Sequence, residues 1–151
     1  LDRALRIPGG SKLVQSARAA PLWVITSETA EAAAAMKLGA AGAQVIRVSS
    51  DLAKPGLDLS AVLHALSEKG ISRLMVEGGG KVLTQFLTAG LADELQLVVA
   101  PFFVGDSRAQ RFVGDGSFPW NPDRRAELAE VHRLGDVVLL RYALSDRFDK
   151  D

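Results

Sequence analysis

The segment LMVEGGGKVLTQFL, Leu74 to Leu87, sets a carboxylate, Glu77, directly before three consecutive glycines, Gly78, Gly79 and Gly80. The glycines separate a short apolar run from a segment with helical spacing. If a strand passes into a helix here, the first N–H groups of that helix have no partner within it. Those donors, reinforced by the helix dipole, suit an anion such as a phosphate, and glycine keeps side chains out of its way. A tight turn that needs only glycine's permissive backbone is the competing reading. The pattern is neither G-x-G-x-x-G nor G-x-x-x-x-G-K-[ST], which excludes the two best-known phosphate loops. Glu77 is also readable as a solvated or arginine-paired carboxylate, because acidic residues at strand ends are usually exposed.

Other polar residues carry weaker signals. The chain has two histidines, His64 within a helical segment and His132 near a late turn, with no acidic cluster beside them, so no metal site is expected. The absence of cysteine removes disulfides, a thiolate nucleophile and Cys-ligated zinc. Asp93 and Glu94 are adjacent in a strand-like run, so they point to opposite faces and cannot share a proton site. They are expected to open the strand and pair with surface cations. Thr26-Ser27 and Ser49-Ser50-Asp51 are strand-end polar groups that either cap helices or touch a ligand, and capping is the commoner role.

The elements that position these residues alternate. PLWVITS (Pro21 to Ser27) reads as a strand and ETAEAAAAMKLGAAG as the helix after it, stopping at glycine. AQVIRVSS is the next strand. LDLSAVLHALSEKG has an apolar stripe at Leu59, Val62, Leu63 and Leu66 and ends at Gly70. ISRLMVEGGG then predicts a buried strand ending in the glycines, and KVLTQFLTAG a helix with Val82, Leu83, Phe86 and Leu87 on one face. DELQLVVAPFFVG and DVVLLRYAL read as late strands, separated by an irregular stretch rich in Gly, Pro and Asp. The alternation predicts an α/β fold, a mixed sheet parallel for most of its strands and flanked by helices, with a later antiparallel or irregular portion.

Composition bounds the rest. A chain of 151 residues, 48% hydrophobic and 24% charged, suits one domain with a substantial core. Lys+Arg and Asp+Glu balance at 18 each, so no net field draws the chain to nucleic acid or to an anionic membrane. Its apolar runs are too short to span a bilayer and LDRALRIPGG lacks the apolar block of a signal peptide, so a cytoplasmic location is expected.

LMVEGGGKVLTQFLTAGLADELQLVVAPFFVG resembles the signature of the riboflavin-biosynthesis pyrimidine reductases, the C-terminal reductase domain of the bifunctional deaminase-reductase, whose fold is shared with dihydrofolate reductase. The likeness extends back through VLHALSEKGISR; LDRALRIP resembles the family's strand-end segment leading to Arg-x-Pro, and GDVVLLRYAL its last strand. The resemblance implies reduction of 5-amino-6-(5-phosphoribosylamino)uracil by NADPH, opening the ribosyl group to a ribityl chain. It places Gly78, Gly79, Gly80, Lys81, Val82 and Leu83 at the cofactor pyrophosphate and Glu77 at the substrate. Asp2, Arg3 and Arg6 match the segment near the cofactor's adenosine half, where an arginine could pair with a 2′-phosphate; ordinary surface charge is the alternative. A small-molecule pyrimidine substrate and a homodimer built on the late strands follow from the same resemblance. The family's first strands have no counterpart, so residues 1–151 are expected to form an incomplete, C-terminal portion of one reductase-type domain. A non-catalytic nucleotide-binding or dimerisation module, or a related reductase of another small heterocycle, is the alternative.

Overall fold

The computed structural model describes residues 1–50 and 56–148; Asp51, grouped above with Ser49 and Ser50, lies outside them. The chain divides into two compact units, Leu1–Leu74 and Met75–Asp151. Among the described residues no helix is long and apolar enough to cross a membrane.

The first unit contains α1 (Lys12–Gln15), β1 (Trp23–Ser27), α2 (Ala32–Ala40), β2 (Gln44–Val48) and α3 (Leu59–Ser67). β1 and β2 pair in parallel, with Val24 opposite Val45 and Ile25 opposite Ile46. Both faces of the pair are covered, which is why β1 reads as a continuous apolar run and not as an alternation. Val24 packs with Leu5, Val14, Ala17, Leu38 and Ala43 on one side. Ile25, Ile46 and Val48 pack with Val62 and Leu66 of α3 on the other. The expected stripe of α3 is thus the buried face, and each aliphatic side chain it removes from water contributes ~1.5–3 kcal/mol. Asp58 caps this helix, its Oδ1 accepting from the N–H of Ser60 at 2.9 Å and of Ala61 at 3.2 Å. Gly70, at φ 84°, closes the far end in the left-handed region that glycine favours.

Residues 1–8, expected to carry the tail of an internal strand, form a turn. Leu5 is buried in the first core cluster and adopts φ 52°, and the chain must reverse to put it there. The turn is nonetheless fastened to β1, with the Asp2 N–H donating to the Ile25 carbonyl at 2.9 Å and the Ser27 N–H to the Arg3 carbonyl at 3.2 Å.

The second unit contains α4 (Gly80–Thr88), β3 (Glu94–Val99), β4 (Glu127–Leu134) and β5 (Val137–Ala143). The three strands form an antiparallel sheet in the order β3-β5-β4. Two expectations are corrected here. Residues 71–77 form no strand, and Leu74 and Met75 are 42% and 69% exposed, so the apolar run before the glycines is not buried. Without that run the parallel ladder stops at β1–β2, and antiparallel pairings make up the larger share of strand contacts among the described residues. The α/β class and the mixed pairing stand.

Register sorts the antiparallel sheet into two unlike faces. Leu97, Leu140 and Val131 lie across from one another on an apolar face. The opposite face carries an ionic row: Arg141 donates to Glu94 Oε1 and to Glu130 Oε1, both at 2.7 Å, and His132 Nε2 lies 2.6 Å from Glu130 Oε2. The hydrogen bonds from His132 and then Arg141 hold the Glu130 carboxyl below its ordinary value. Arg141, with its side chain only 12% exposed, is held above its own ordinary value by Glu94 and Glu130. His132 lies within β4, three residues before the turn at Gly135, near a late turn as expected. Asp93 and Glu94 were expected to share a strand, but Asp93 lies in the bend before β3 and Glu94 opens the strand; each pairs with a cation as expected, Asp93 with Arg147 at 3.0 Å and Glu94 with Arg141 at 2.7 Å.

Candidate functional site

The glycine segment supplies the N-terminus of α4. Gly79 is the N-cap, at φ −66° and ψ 165°, and no side chain caps this end. The N–H groups of Val82 and Leu83 donate to the Gly79 carbonyl at 2.9 and 3.2 Å. The N–H groups of Gly80 and Lys81, the two residues before them, have no acceptor inside the helix. Their amides and the positive end of the helix dipole are what the segment offers to an anion.

None of Gly78, Gly79 and Gly80 has a positive φ, so the turn itself does not require glycine. Space requires it, and differently at each position. A Cβ on Gly78 would lie 2.7 Å from the Val82 Cβ, and one on Gly80 would lie 2.9 Å from the Arg111 carbonyl oxygen. These two glycines serve the protein's own packing. At Gly79 the nearest described atom is Gln110 Nε2, at 3.9 Å, leaving room for an approaching ligand. Glu77 is exposed two residues earlier, in irregular backbone and not at the end of a strand. Lys81 is exposed; Val82 and Leu83 are half-buried on the helix face that also buries Phe86 and Leu87.

A contact that the sequence reading missed lies beside this helix end. Residues 110–116 run along α4, and two threonines one turn apart receive them. Thr84 Oγ1 donates to the Gly80 carbonyl at 2.6 Å and accepts from the Gly114 N–H at 2.7 Å. Thr88 Oγ1 donates to the Thr84 carbonyl at 2.8 Å, and its Cγ2 fills the place a side chain on Gly116 would need, 2.5 Å away. The signal was present as Thr-x-x-x-Thr on one helix face and Gly-x-Gly in the stretch expected to be irregular.

In the first unit, Asp2 and Arg6 line a cleft of about 440 Å³ together with Ile7, Trp23 and Val24. Asp2 Oδ2 accepts from the Ile7 N–H at 2.7 Å. Partial burial works to raise the Asp2 carboxyl, but hydrogen bonds from the Arg6, Ile7 and Ala4 backbone and the nearby Arg6 charge outweigh it and hold the group below its ordinary value. Asp2 therefore fastens its own turn, while Arg3 and Arg6 present exposed side chains. Thr26 Oγ1 donates to the Arg3 carbonyl at 2.9 Å, and Ser27 Oγ lies 2.9 Å from Thr29 Oγ1 and 2.8 Å from Ser50 Oγ. The Ser27 and Ser50 hydroxyls link the carboxyl ends of β1 and β2, the Thr26 hydroxyl fastens β1 to the N-terminal turn, and none of them caps α2, whose N-cap, Glu31, makes no side-chain capping bond. Arg47 completes the region by donating to the carbonyls of Ser27, Glu28 and Ala30 at 3.3, 2.9 and 2.9 Å. Among the described residues no three His, Cys, Asp or Glu side chains gather as a metal site would require. His64 is exposed beside Glu68, at 3.4 Å.

Comparison with known proteins bears on this arrangement. A family model described as the RibD C-terminal domain matches residues 1–140. The riboflavin biosynthesis protein RibD of Aquifex aeolicus is 36% identical over 141 residues, covering 93% of this chain and 36% of that protein. A 2,5-diamino-6-ribosylamino-4(3H)-pyrimidinone 5′-phosphate reductase of Methanothermobacter thermautotrophicus is 36% identical over 89 residues, 58% of this chain and 41% of that protein. The chain thus spans well under half the length of the curated relatives it matches. Among solved structures, a pyrimidine reductase-like protein from Corynebacterium diphtheriae superposes with a TM-score of 0.70 at 25% identity, over 93% of this chain and 58% of that one. Acinetobacter baumannii RibD superposes with a TM-score of 0.72 at 24% identity, over 94% of this chain and 36% of that one, a likeness of fold.

Proposed function

Because the chain belongs to the RibD C-terminal domain family, we propose that it is the reductase portion of a riboflavin-biosynthesis enzyme, carrying out the NADPH-dependent reduction of 5-amino-6-(5-phosphoribosylamino)uracil to its ribitylamino product. The observation that carries this reading is the uncapped start of α4, with open space at Gly79 and packed space at Gly78 and Gly80. That cradle fits a diphosphate: the amides of Gly80 and Lys81 donate, the Lys81 ammonium adds charge, and Val82 and Leu83 anchor the turn from below. NADPH, when bound, supplies the hydride. Glu77, exposed next to the cradle, is assigned to orienting the substrate by accepting hydrogen bonds from it. Arg3 and Arg6 are assigned to the 2′-phosphate, with which a guanidinium forms charge-assisted bonds. The names of the relatives support a phosphorylated ribosylamino-pyrimidine as the substrate class. We further propose a cytoplasmic homodimer joined through the late strands, motivated by the exposure of Val98, Val99, Phe102 and Phe103.

Cofactor titration of the full-length protein and two variants tests the assignment. NADPH should bind at least tenfold more tightly than NADH. Gly79→Asp should abolish NADPH binding through bulk and through negative charge beside phosphate, with thermal unfolding unchanged because φ there is ordinary. Glu77→Gln should keep NADPH affinity while lowering kcat/KM for the pyrimidine by about ten- to a hundredfold. Parental NADPH binding by Gly79→Asp would reduce the glycines to a packing device.

A further inference from the structure

We propose that Thr84 is a positioning residue for the cofactor phosphate, acting through the loop at residues 110–116. The inference rests on the reductase reading above. A hydroxyl has one proton to give and lone pairs to receive. Thr84 gives its proton to the Gly80 carbonyl at 2.6 Å and receives the Gly114 N–H at 2.7 Å. One side chain therefore ties the first residue of α4 to a loop lying thirty positions further along the chain.

The loop fastened in this way rests on the glycine cradle. Its Arg111 carbonyl comes so close to Gly80 that a Cβ there would stand 2.9 Å away, and the Phe112 carbonyl would stand 3.6 Å away. One residue earlier, the Gln110 amide nitrogen is 3.9 Å from the side-chain position of Gly79, the open one. No side chain caps α4, and residues 110–112 pack against its first turn from outside the helix. Thr84 fixes where the loop sits, the loop holds the first-turn amides in place, and Gln110 is carried to the edge of the space a diphosphate would occupy. Removing the hydroxyl leaves the Gly114 N–H without its acceptor and frees the loop from the helix. Valine has the shape of threonine and neither hydrogen bond, whereas serine keeps both.

The test uses the full-length protein with Thr84→Val, Thr84→Ser, Gln110→Ala and Gly79→Asp, reading NADPH affinity by fluorescence titration, steady-state KM and kcat, and thermal unfolding of the free protein. Thr84→Val should weaken NADPH about fivefold, equivalent to ~1 kcal/mol, and should raise its KM by more than it lowers kcat. Thr84→Ser should bind like the parent, and Gln110→Ala should weaken NADPH in the same direction as the valine variant. Should Thr84→Val fail to fold, Gln110→Ala decides, because parental affinity in that variant overturns the proposal. Parental affinity in a folded Thr84→Val, or equal losses in the valine and serine variants, also overturns it. If Gly79→Asp loses NADPH while Thr84→Val keeps it, the positioning role fails and the cofactor site survives. If Gly79→Asp binds like the parent, both fall.

Discussion

At Asp2 a residue with two readings resolves into a measurable contribution. Its carboxylate accepts the Ile7 N–H and lies below its ordinary pKa, so in the folded chain it holds its charge to lower pH than it does when unfolded. A carboxylate of this kind contributes stability above the unfolded value of about 3.9 and loses it as pH falls through the folded value. Asp2→Asn retains an oxygen that can accept from the backbone but cannot titrate. We therefore expect the variant to be less stable than the parent near neutrality, with the difference narrowing as the pH is lowered from about 5 towards 2. Chemical denaturation across that range checks it, and a difference independent of pH would remove the charge from the account. The glycines show the same individuality. Sequence reading treated Gly78, Gly79 and Gly80 as one phosphate loop, whereas neighbouring atoms assign packing to the outer two and open space to the middle one.

At the scale of elements, the match between the α4 face and its loop yields a sharper expectation. A Cβ on Gly80 would stand 2.9 Å from backbone, which cannot swing aside as a side-chain tip can. Gly80→Ala should therefore cost ~1–3 kcal/mol in urea unfolding, while Gly79→Ala, with open space and an ordinary φ, should stay within ~0.5 kcal/mol. Equal effects would contradict the division of roles. The helices α2, α3 and α4 and the strands β1, β2, β3 and β5 were legible because each has a clear apolar period and a polar or glycine stop. β4 was not. A bulge between Leu128 and Glu130 breaks its alternation, and Glu127, Glu130 and His132 give it the look of a solvated loop. Glu130 sits on a strand because Arg141 on β5 and His132 on β4 both meet it, and the Arg141 pairing joins positions far apart in local pattern. The reverse error occurred at residues 71–77, where an apolar run suggested a buried strand but acquired no ladder. The site was half legible: Glu77 and the glycines could be read from the sequence, but Thr84 and the loop it fastens could not, because their meeting depends on tertiary placement.

At the scale of the whole molecule, the apolar sheet face and the segment after β3 set the expected association. Val99 and Val131 are 52% and 58% exposed and Phe103 fully so, more apolar surface than scattered surface residues explain. We expect the full-length protein to be a dimer in light scattering at micromolar concentration, and Val131→Lys together with Phe103→Asp to shift it towards monomer. A parent that is monomeric there would refute the dimer. The two outer strands of the antiparallel sheet also differ in how they meet other chains. β4 is interrupted by its bulge and lined with charge, both of which blunt strand addition. β3 reads Glu-Leu-Gln-Leu-Val-Val, pairs with β5 without a register shift, and has no lysine or proline within it. Among the described residues no strand pairs with its other edge; that is the side on which a newly synthesised or heat-stressed copy would template amyloid-like growth, so a lysine replacing Gln96 or Val98 should lengthen the lag before thioflavin-positive fibrils form.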